Sequence, residues 1–298
     1  MSETQDHPPH DYSPPVSDLL TLGRPSGYQV ADWPDYITLY GFTAAHIPEL
    51  GRLALDQTFC GEEYWERPEG YAFIHAFRAL GQLRDAAALP YLIRLAETEE
   101  DSDWVWEELP MAVALIGAAA LPLLKESLGR TNDNLFTGGT IVTCLEQLGV
   151  TQPETQVECS AILTNQLTKT TENDAGINAN IIHALVGFRA MDSLPVIEQA
   201  FATDNVDLMV RGDWDDVLVD LGLKEPDPNK KRPPLPFAQE ILETIEHINA
   251  LEQAQIELED SAAENRSAAM ARRTAKAKQK AKRKQAKAQR RQNRKRRK

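Results

Sequence analysis

Leu80-Gly-Gln-Leu-Arg-Asp-Ala-Ala-Ala-Leu-Pro-Tyr-Leu92 is the stretch on which the reading of this chain turns. An apolar residue and Gly end one periodic run, a short turn follows, and apolar-Pro-x-apolar opens the next. Three other stretches repeat the phrase: Tyr40-Gly-Phe-Thr-Ala-Ala-His-Ile-Pro-Glu-Leu50, Ile116-Gly-Ala-Ala-Ala-Leu-Pro-Leu-Leu124 and Val186-Gly-Phe-Arg-Ala-Met-Asp-Ser-Leu-Pro-Val-Ile197. Gly149 joins the glycines at 41, 81, 117 and 187, so successive spacings are 40, 36, 32 and 38 residues. That is the period of a helical-hairpin repeat.

Local chemistry agrees with a helix, turn, helix unit. A Gly after an apolar helical run supplies the left-handed residue that closes the helix, and Asp85 or Asp192 just beyond offers a side-chain oxygen to cap the next. Proline then stands near the opening of the second helix, where a missing N–H costs least. Thr151-Gln-Pro-Glu154 reads as a capping box in the fourth unit. Between these marks the apolar spacing is helical, as in His75, Ala76, Ala79, Leu80 and Leu83, or Leu89, Leu92, Ile93 and Ala96. The prediction is an all-α chain, an α-solenoid of about five hairpins over residues 33–222. Leu80, Leu83, Leu92, Leu115, Leu124, Leu145, Leu163 and Leu185 are expected in its core, each hairpin burying its apolar face against its neighbours alone.

The repeated phrase resembles HEAT repeats, most of all the short bacterial HEAT-like type also found in phycobilin lyases, over roughly residues 39–203. Trp33-Pro-Asp-Tyr36 ahead and Gly212-Asp-Trp-Asp-Asp216 behind are similar to the flanks of a bacterial HEAT-like family of unknown function. The resemblance implies a HEAT-like α-solenoid and, on the lyase side, an enzyme or chaperone that handles a chromophore. Some members of such families end in a cysteine-rich zinc module. This chain has no cysteine after Cys159, so no zinc role is carried over.

Charge is segregated along the chain. Residues 265–298 hold seventeen Lys and Arg and no Asp or Glu, although the net charge is −13. The first 264 residues therefore stand at −30, with 15 basic and 45 acidic side chains. A basic arm on an acidic body points to a polyanionic partner. Within the arm Arg272 and Arg273 lead into Lys276, Lys280, Lys284, Lys287, Arg291, Arg294 and Lys298, spaced by three or four residues, which form a single ridge in a helix. Like charges at that spacing repel by about 0.2 to 0.5 kcal/mol per pair, so the arm is expected to order on phosphates. No aromatic residue follows Phe237, which removes the platform for base stacking. Structured RNA such as the ribosome offers, or duplex backbone, is the expected partner, bound non-specifically.

The expected organisation is a disordered lead over 1–16, a HEAT-like α-solenoid over 17–223, a Pro-rich linker over 224–236, an amphipathic helix over 237–263 and a basic nucleic-acid-binding tail over 264–298. Ile241, Ile245, Ile248, Leu251 and Leu258 share one face of that amphipathic segment, which either caps the open end of the solenoid or dimerises. The longest apolar stretch, around residues 111–124, is interrupted by Gly117 and Pro122, so no membrane span is expected. Cys60, Cys144 and Cys159 form no close pair, and a reducing, cytoplasmic setting is the default.

Candidate sites for chemistry are weak. Asp207, Asp213, Asp215 and Asp216 lack the order of a calcium loop, and Asp213 reads instead as a helix cap. Residues 97–108 hold seven carboxylates around Trp104 and Trp106, the densest acidic counterface by composition. His46, His75, His183 and His247 lack metallohydrolase spacing, Cys60 with His75 has no nameable oxyanion donor, and Gly138-Gly139 lacks the rest of a phosphate signature. No catalytic residue, cofactor or metal is expected. The function this supports is a non-enzymatic adaptor that binds a protein or peptide on the concave solenoid face, its tail on RNA or the ribosome. The alternative is a bilin-lyase-like enzyme or chromophore chaperone.

Overall fold

The computed structural model describes residues 12–59, 64, 67–99, 102–131 and 133–230. Among these residues every regular element is helical, and no strand occurs. The helices are α1 (Tyr36–Tyr40), α2 (Ile47–Ala54), α3 (Ala72–Leu83), α4 (Leu89–Thr98), α5 (Asp103–Ile116), α6 (Leu121–Arg130), α7 (Leu135–Thr151), α8 (Gln156–Leu167), α9 (Ala175–Gly187), α10 (Leu194–Ala202), α11 (Leu208–Arg211) and α12 (Trp214–Asp220). All lie in the first of two units into which the chain divides, Met1–Pro228 and Asn229–Lys298. Residues 231–236 of the segment 224–236, all of 237–263 and every basic residue of the tail fall outside the described residues.

The helices form two rows. In one, α3, α5, α7 and α9 pack side by side in chain order; in the other, α2, α4, α6, α8 and α10 do the same. Across the rows α2 meets α3, α4 meets α5, α6 meets α7 and α8 meets α9, so one apolar core runs the length of the array. The second-row helices share a local design. Pro48, Pro90, Pro122 and Pro195 stand in the first turns of α2, α4, α6 and α10, where no intrahelical N–H is lost. A single 3-10 turn leads into each, at Ala44–His46, Ala86–Ala88, Ala118–Ala120 and Met191–Ser193.

The repeat glycines divide into two kinds. Gly41 (φ 66°) closes α1 in the left-handed region, as the pattern predicts. Gly81 and Gly149 instead lie inside α3 and α7, where they permit close approach. A Cβ on Gly81 would stand 2.7 Å from the Cα and carbonyl oxygen of Ala112 in α5, and one on Gly149 would stand 2.6 Å from the Phe188 ring. The left-handed residue that ends α3 is Arg84 (φ 53°), and Arg189 (φ 54°) does the same beyond Gly187 at the end of α9, whereas α7 ends at Gln152 with φ −128°. Asp85 caps as expected, accepting from the Ala87 N–H at 2.9 Å, but Asp192 lies inside its 3-10 turn and caps nothing. No capping box forms at residues 151–154 either. Thr151 is the last residue of α7 and donates back to the Gln147 carbonyl at 2.7 Å, while Gln152 reaches across to the Ala114 carbonyl at 2.9 Å. The boxes that do form are Thr43 with His46 and Asp213 with Asp216.

Leu80, Leu92, Leu124, Leu145, Leu163 and Leu185 are fully buried. Leu83 and Leu115 are only half-buried; Leu83 is the last residue of α3 and Leu115 the last but one of α5. The ordered body also starts earlier than residue 17. Tyr12 and Val16 are buried, the 3-10 helix Val16–Thr21 packs on α3, and the Tyr12 hydroxyl donates to Asp56 at 2.7 Å. This segment covers apolar surface that the first hairpin would otherwise leave open.

Candidate partner-binding site

The outer face of α8 carries Gln156, Val157, Ser160, Ala161, Thr164, Asn165 and Thr168, the three- and four-residue spacing that keeps side chains on one side of a helix. Opposite it runs the turn from Phe188 to Ser193, which leads from α9 into α10. The two walls enclose an open cleft of about 740 Å³. Their spacing is fixed by chemistry: Thr164 donates to the Ser160 carbonyl at 2.7 Å, leaving its lone pair for the Ser193 hydroxyl, also at 2.7 Å. Arg189 holds the rim by donating to the Leu221 carbonyl at 3.1 Å.

A buried amide network ties the start of α9 to the end of α8. Asn178 accepts from Asn173 and donates to the carbonyls of Thr170 and Asn205, and Gln166 donates to Asn173, all within 2.9 Å. Both side-chain hydrogens of Asn178 are used, which fixes this connection. The cleft itself is lined by hydroxyls, amides and small apolar groups, with Arg189 and Asp192 as its charges. Val157 is 81 % exposed and Met191 42 %. Such a lining suits the side chains and backbone of a neutral peptide rather than proton transfer.

A second, smaller cleft of about 380 Å³ lies among Val30, Arg84, Met111, Leu115, Gln147 and Gln152, which explains the partial exposure of Leu115.

The residues with the strongest electrostatics are buried and hold the N-terminal segment down. Arg78 and Glu108 are both fully buried and paired twice, Nε to Oε2 and Nη2 to Oε1, each at 2.7 Å. Arg78 also donates to the Gly27 carbonyl at 2.8 Å and lies 4.9 Å from the centre of the Trp33 ring. Burial raises the Glu108 carboxyl, and the double hydrogen bond from Arg78 opposes that rise. His75 is buried beside it, its Nε2 donating to the Gly23 carbonyl at 2.8 Å and its Nδ1 accepting from the Tyr36 hydroxyl at 2.6 Å. Burial pushes Tyr36 up to about 12 and pulls His75 below its ordinary value of 6.5.

A depressed histidine has a defined consequence. Neutral His75 stabilises the fold fully above pH 6.5; below it the unfolded chain binds the proton first, and stability falls as pH drops through the lowered folded value. NMR titration of the imidazole should give an apparent pKa under 6.5. A value at or above 6.5 would mean that the ring is not held neutral between Gly23 and Tyr36.

The other residues singled out in the sequence take structural places. Cys144 is buried in α7 with its thiol raised by burial, and the Cys159 thiol donates to Thr155 at 3.9 Å. Gly138 packs against Ile177. Asp207 caps α11 and Asp213 caps α12. His46 accepts from the Thr43 N–H, and half-buried His183 lies between Arg211 and Glu146 on α9. Cys60, His247 and the tail residues Arg272, Arg273, Lys276, Lys280, Lys284, Lys287, Arg291, Arg294 and Lys298 lie outside the described residues. Among the described residues no group of three His, Cys, Asp or Glu is placed to hold a metal ion, and no single helix is long and apolar enough to cross a membrane. Comparisons of the chain with protein-family models, with curated proteins and with solved structures gave no match.

Proposed function

We propose that this protein is a HEAT-like α-solenoid adaptor of the cytoplasm, which seats a protein or peptide in the cleft between α8 and the α9–α10 turn. Residues 265–298 would hold it on RNA or the ribosome through phosphate contacts. The observation that carries the reading is the cleft itself: walls joined by the Thr164–Ser193 hydrogen bond, a lining with many hydrogen-bonding groups and one charge of each sign, and Val157 left 81 % exposed. Covering so exposed an apolar side chain removes its surface from water, which favours a bound partner. The two-row order of helices, each touching its chain neighbours, supports the solenoid.

A photo-crosslinking residue in place of Val157 tests the reading in the full-length chain. One defined protein should crosslink and persist after nuclease treatment, while ribosome co-sedimentation should be lost. Val157→Asp should lower recovery of that protein at least tenfold. Unchanged recovery would overturn the assignment of the cleft. A bilin-like chromophore is the second reading, favoured by a cleft volume within the range of small-molecule sites, roughly 300 to 1,000 Å³. Visible absorbance after co-expression with bilin synthesis would select it.

A further inference from the structure

We infer that the aromatic edge formed by Tyr28, Trp104, Trp106 and Phe136 is a docking surface for a Lys- or Arg-rich segment of a partner protein. The inference rests on the adaptor reading and gives it a partner chemistry at a second surface. Folding collects these four rings from three places. Tyr28 stacks on Trp104 with centroids 5.7 Å apart and planes 14° from parallel; Trp106 meets Phe136 edge-on at 5.9 Å and 83°. Trp104 and Trp106 open α5, and Phe136 opens α7. The end of α4 is bound to the same edge, by Thr137 donating to the Ala96 carbonyl at 3.2 Å and by Arg130 on Glu97 at 3.0 Å.

These rings are not core. Tyr28 is 55 % exposed, Phe136 43 % and Trp106 39 %. A lone exposed aromatic needs no explanation, but two ring pairs left partly exposed at the openings of the neighbouring helices α5 and α7 mark a place where something binds.

The surrounding charges select the occupant. Asp103 and Glu107 stand one helical turn from Trp106 and Trp104 respectively, and Asp133 lies just before α7. All three are exposed, and among the described residues none has an ion-pair partner. Glu97, at the end of α4, is by contrast already engaged by Arg94 and Arg130. Open carboxylates beside the negative faces of Trp and Tyr attract guanidinium and ammonium groups, and Arg in particular stacks on such rings while pairing with a carboxylate. The same combination repels phosphate and acidic peptides. With the first 264 residues at −30, the long-range field draws a cationic segment toward the body before contact is made.

The test uses the full-length chain and a twelve-residue alternating Ala-Arg peptide, with its Ala-citrulline counterpart as a neutral match of the same shape. Tryptophan fluorescence should report saturable binding of the arginine peptide at 50 mM salt and none of the citrulline peptide. The triple substitution Asp103→Asn, Glu107→Gln, Asp133→Asn should weaken binding roughly tenfold, at several-fold or less per exposed pair, and flatten its salt dependence. Trp106→Leu with Phe136→Leu should weaken it about threefold to tenfold while leaving the salt dependence in place. Equal affinity in the triple variant would overturn the inference. So would tight binding of the citrulline peptide, which marks an apolar-helix site, self-association of the chain that disappears with the two rings, which marks a second copy, or arginine-peptide affinity that rises about tenfold or more when residues 266–298 are removed, which marks the chain's own basic segment as the occupant. Val157→Asp should leave the arginine peptide unaffected. Loss of partner recovery there, with peptide affinity unchanged in the edge variants, would separate failure of this inference from failure of the adaptor reading.

Discussion

Replacing Glu108 by Ala destabilises the protein by about 3 to 5 kcal/mol, because it leaves the Arg78 guanidinium without a counter-charge in a place where water cannot reach it. Both side chains are fully buried, and Glu108 accepts two of the Arg78 hydrogen bonds. The remaining acceptor, the Gly27 carbonyl, cannot neutralise the cation, so the variant must expose Arg78 by releasing the segment around Gly27 and Trp33. Urea unfolding of Glu108→Ala and of the double variant Arg78→Met, Glu108→Leu measures the effect. The double variant should recover most of the loss, since two apolar groups of similar volume need no counter-charge. A loss under 1 kcal/mol in Glu108→Ala would mean that the pair is solvated in the working protein.

RNA binding by the full-length chain should fall about 10³- to 10⁵-fold between 50 and 200 mM salt, if 6 to 10 of its basic residues engage phosphates. The seventeen Lys and Arg of residues 265–298 can supply that number, and no aromatic side chain lies among them. Affinity should therefore track RNA charge and shape, with similar curves for different sequences of one hairpin. Removing residues 266–298 should abolish binding. Salt-insensitive binding by the shortened chain would place the contact on the body, whose charge makes that outcome the most informative failure.

The helical class was legible because Gly and apolar-Pro phrases recur every 32 to 40 residues, and turn chemistry leaves a similar mark in each copy. What the mark could not say is which property of glycine each copy uses. Gly41 is needed for its left-handed backbone, whereas Gly81 is needed for the missing Cβ against Ala112, and only the position of α5 tells them apart. Asp85 and Asp192 are alike in sequence, yet one caps and the other does not, a difference of a residue or two in where the turn begins. Leu83 and Leu115 fit the apolar period but fall at helix ends, where period alone overstates burial.

The buried pair left a fainter trace. Arg78 follows Ile74 by four residues and Glu108 follows Val105 by three, so both charges occupy core-facing positions of apolar helices. A charge at such a position has to find a partner, and that was the signal available. Which partner depends on two helices thirty residues apart, beyond the reach of local pattern. The same holds for the aromatic edge: Trp104 and Trp106 were visible inside an acidic run, but Tyr28 and Phe136 join them only through the fold. The cleft likewise comes from two walls that the sequence lists separately.

The strap formed by the segment before α1 implies an order of events on the ribosome. Gly27 is synthesised 51 residues before Arg78, and Arg78 another 30 before Glu108. At roughly 5 to 20 residues per second, translation separates the last two by on the order of 1.5 to 6 s. Through that interval α3 carries a cation on a face destined for burial, and the segment around Gly27, though already made, has no neutral seat to dock on. The strap therefore closes only after α5 has emerged, so a segment made before both helices settles after them.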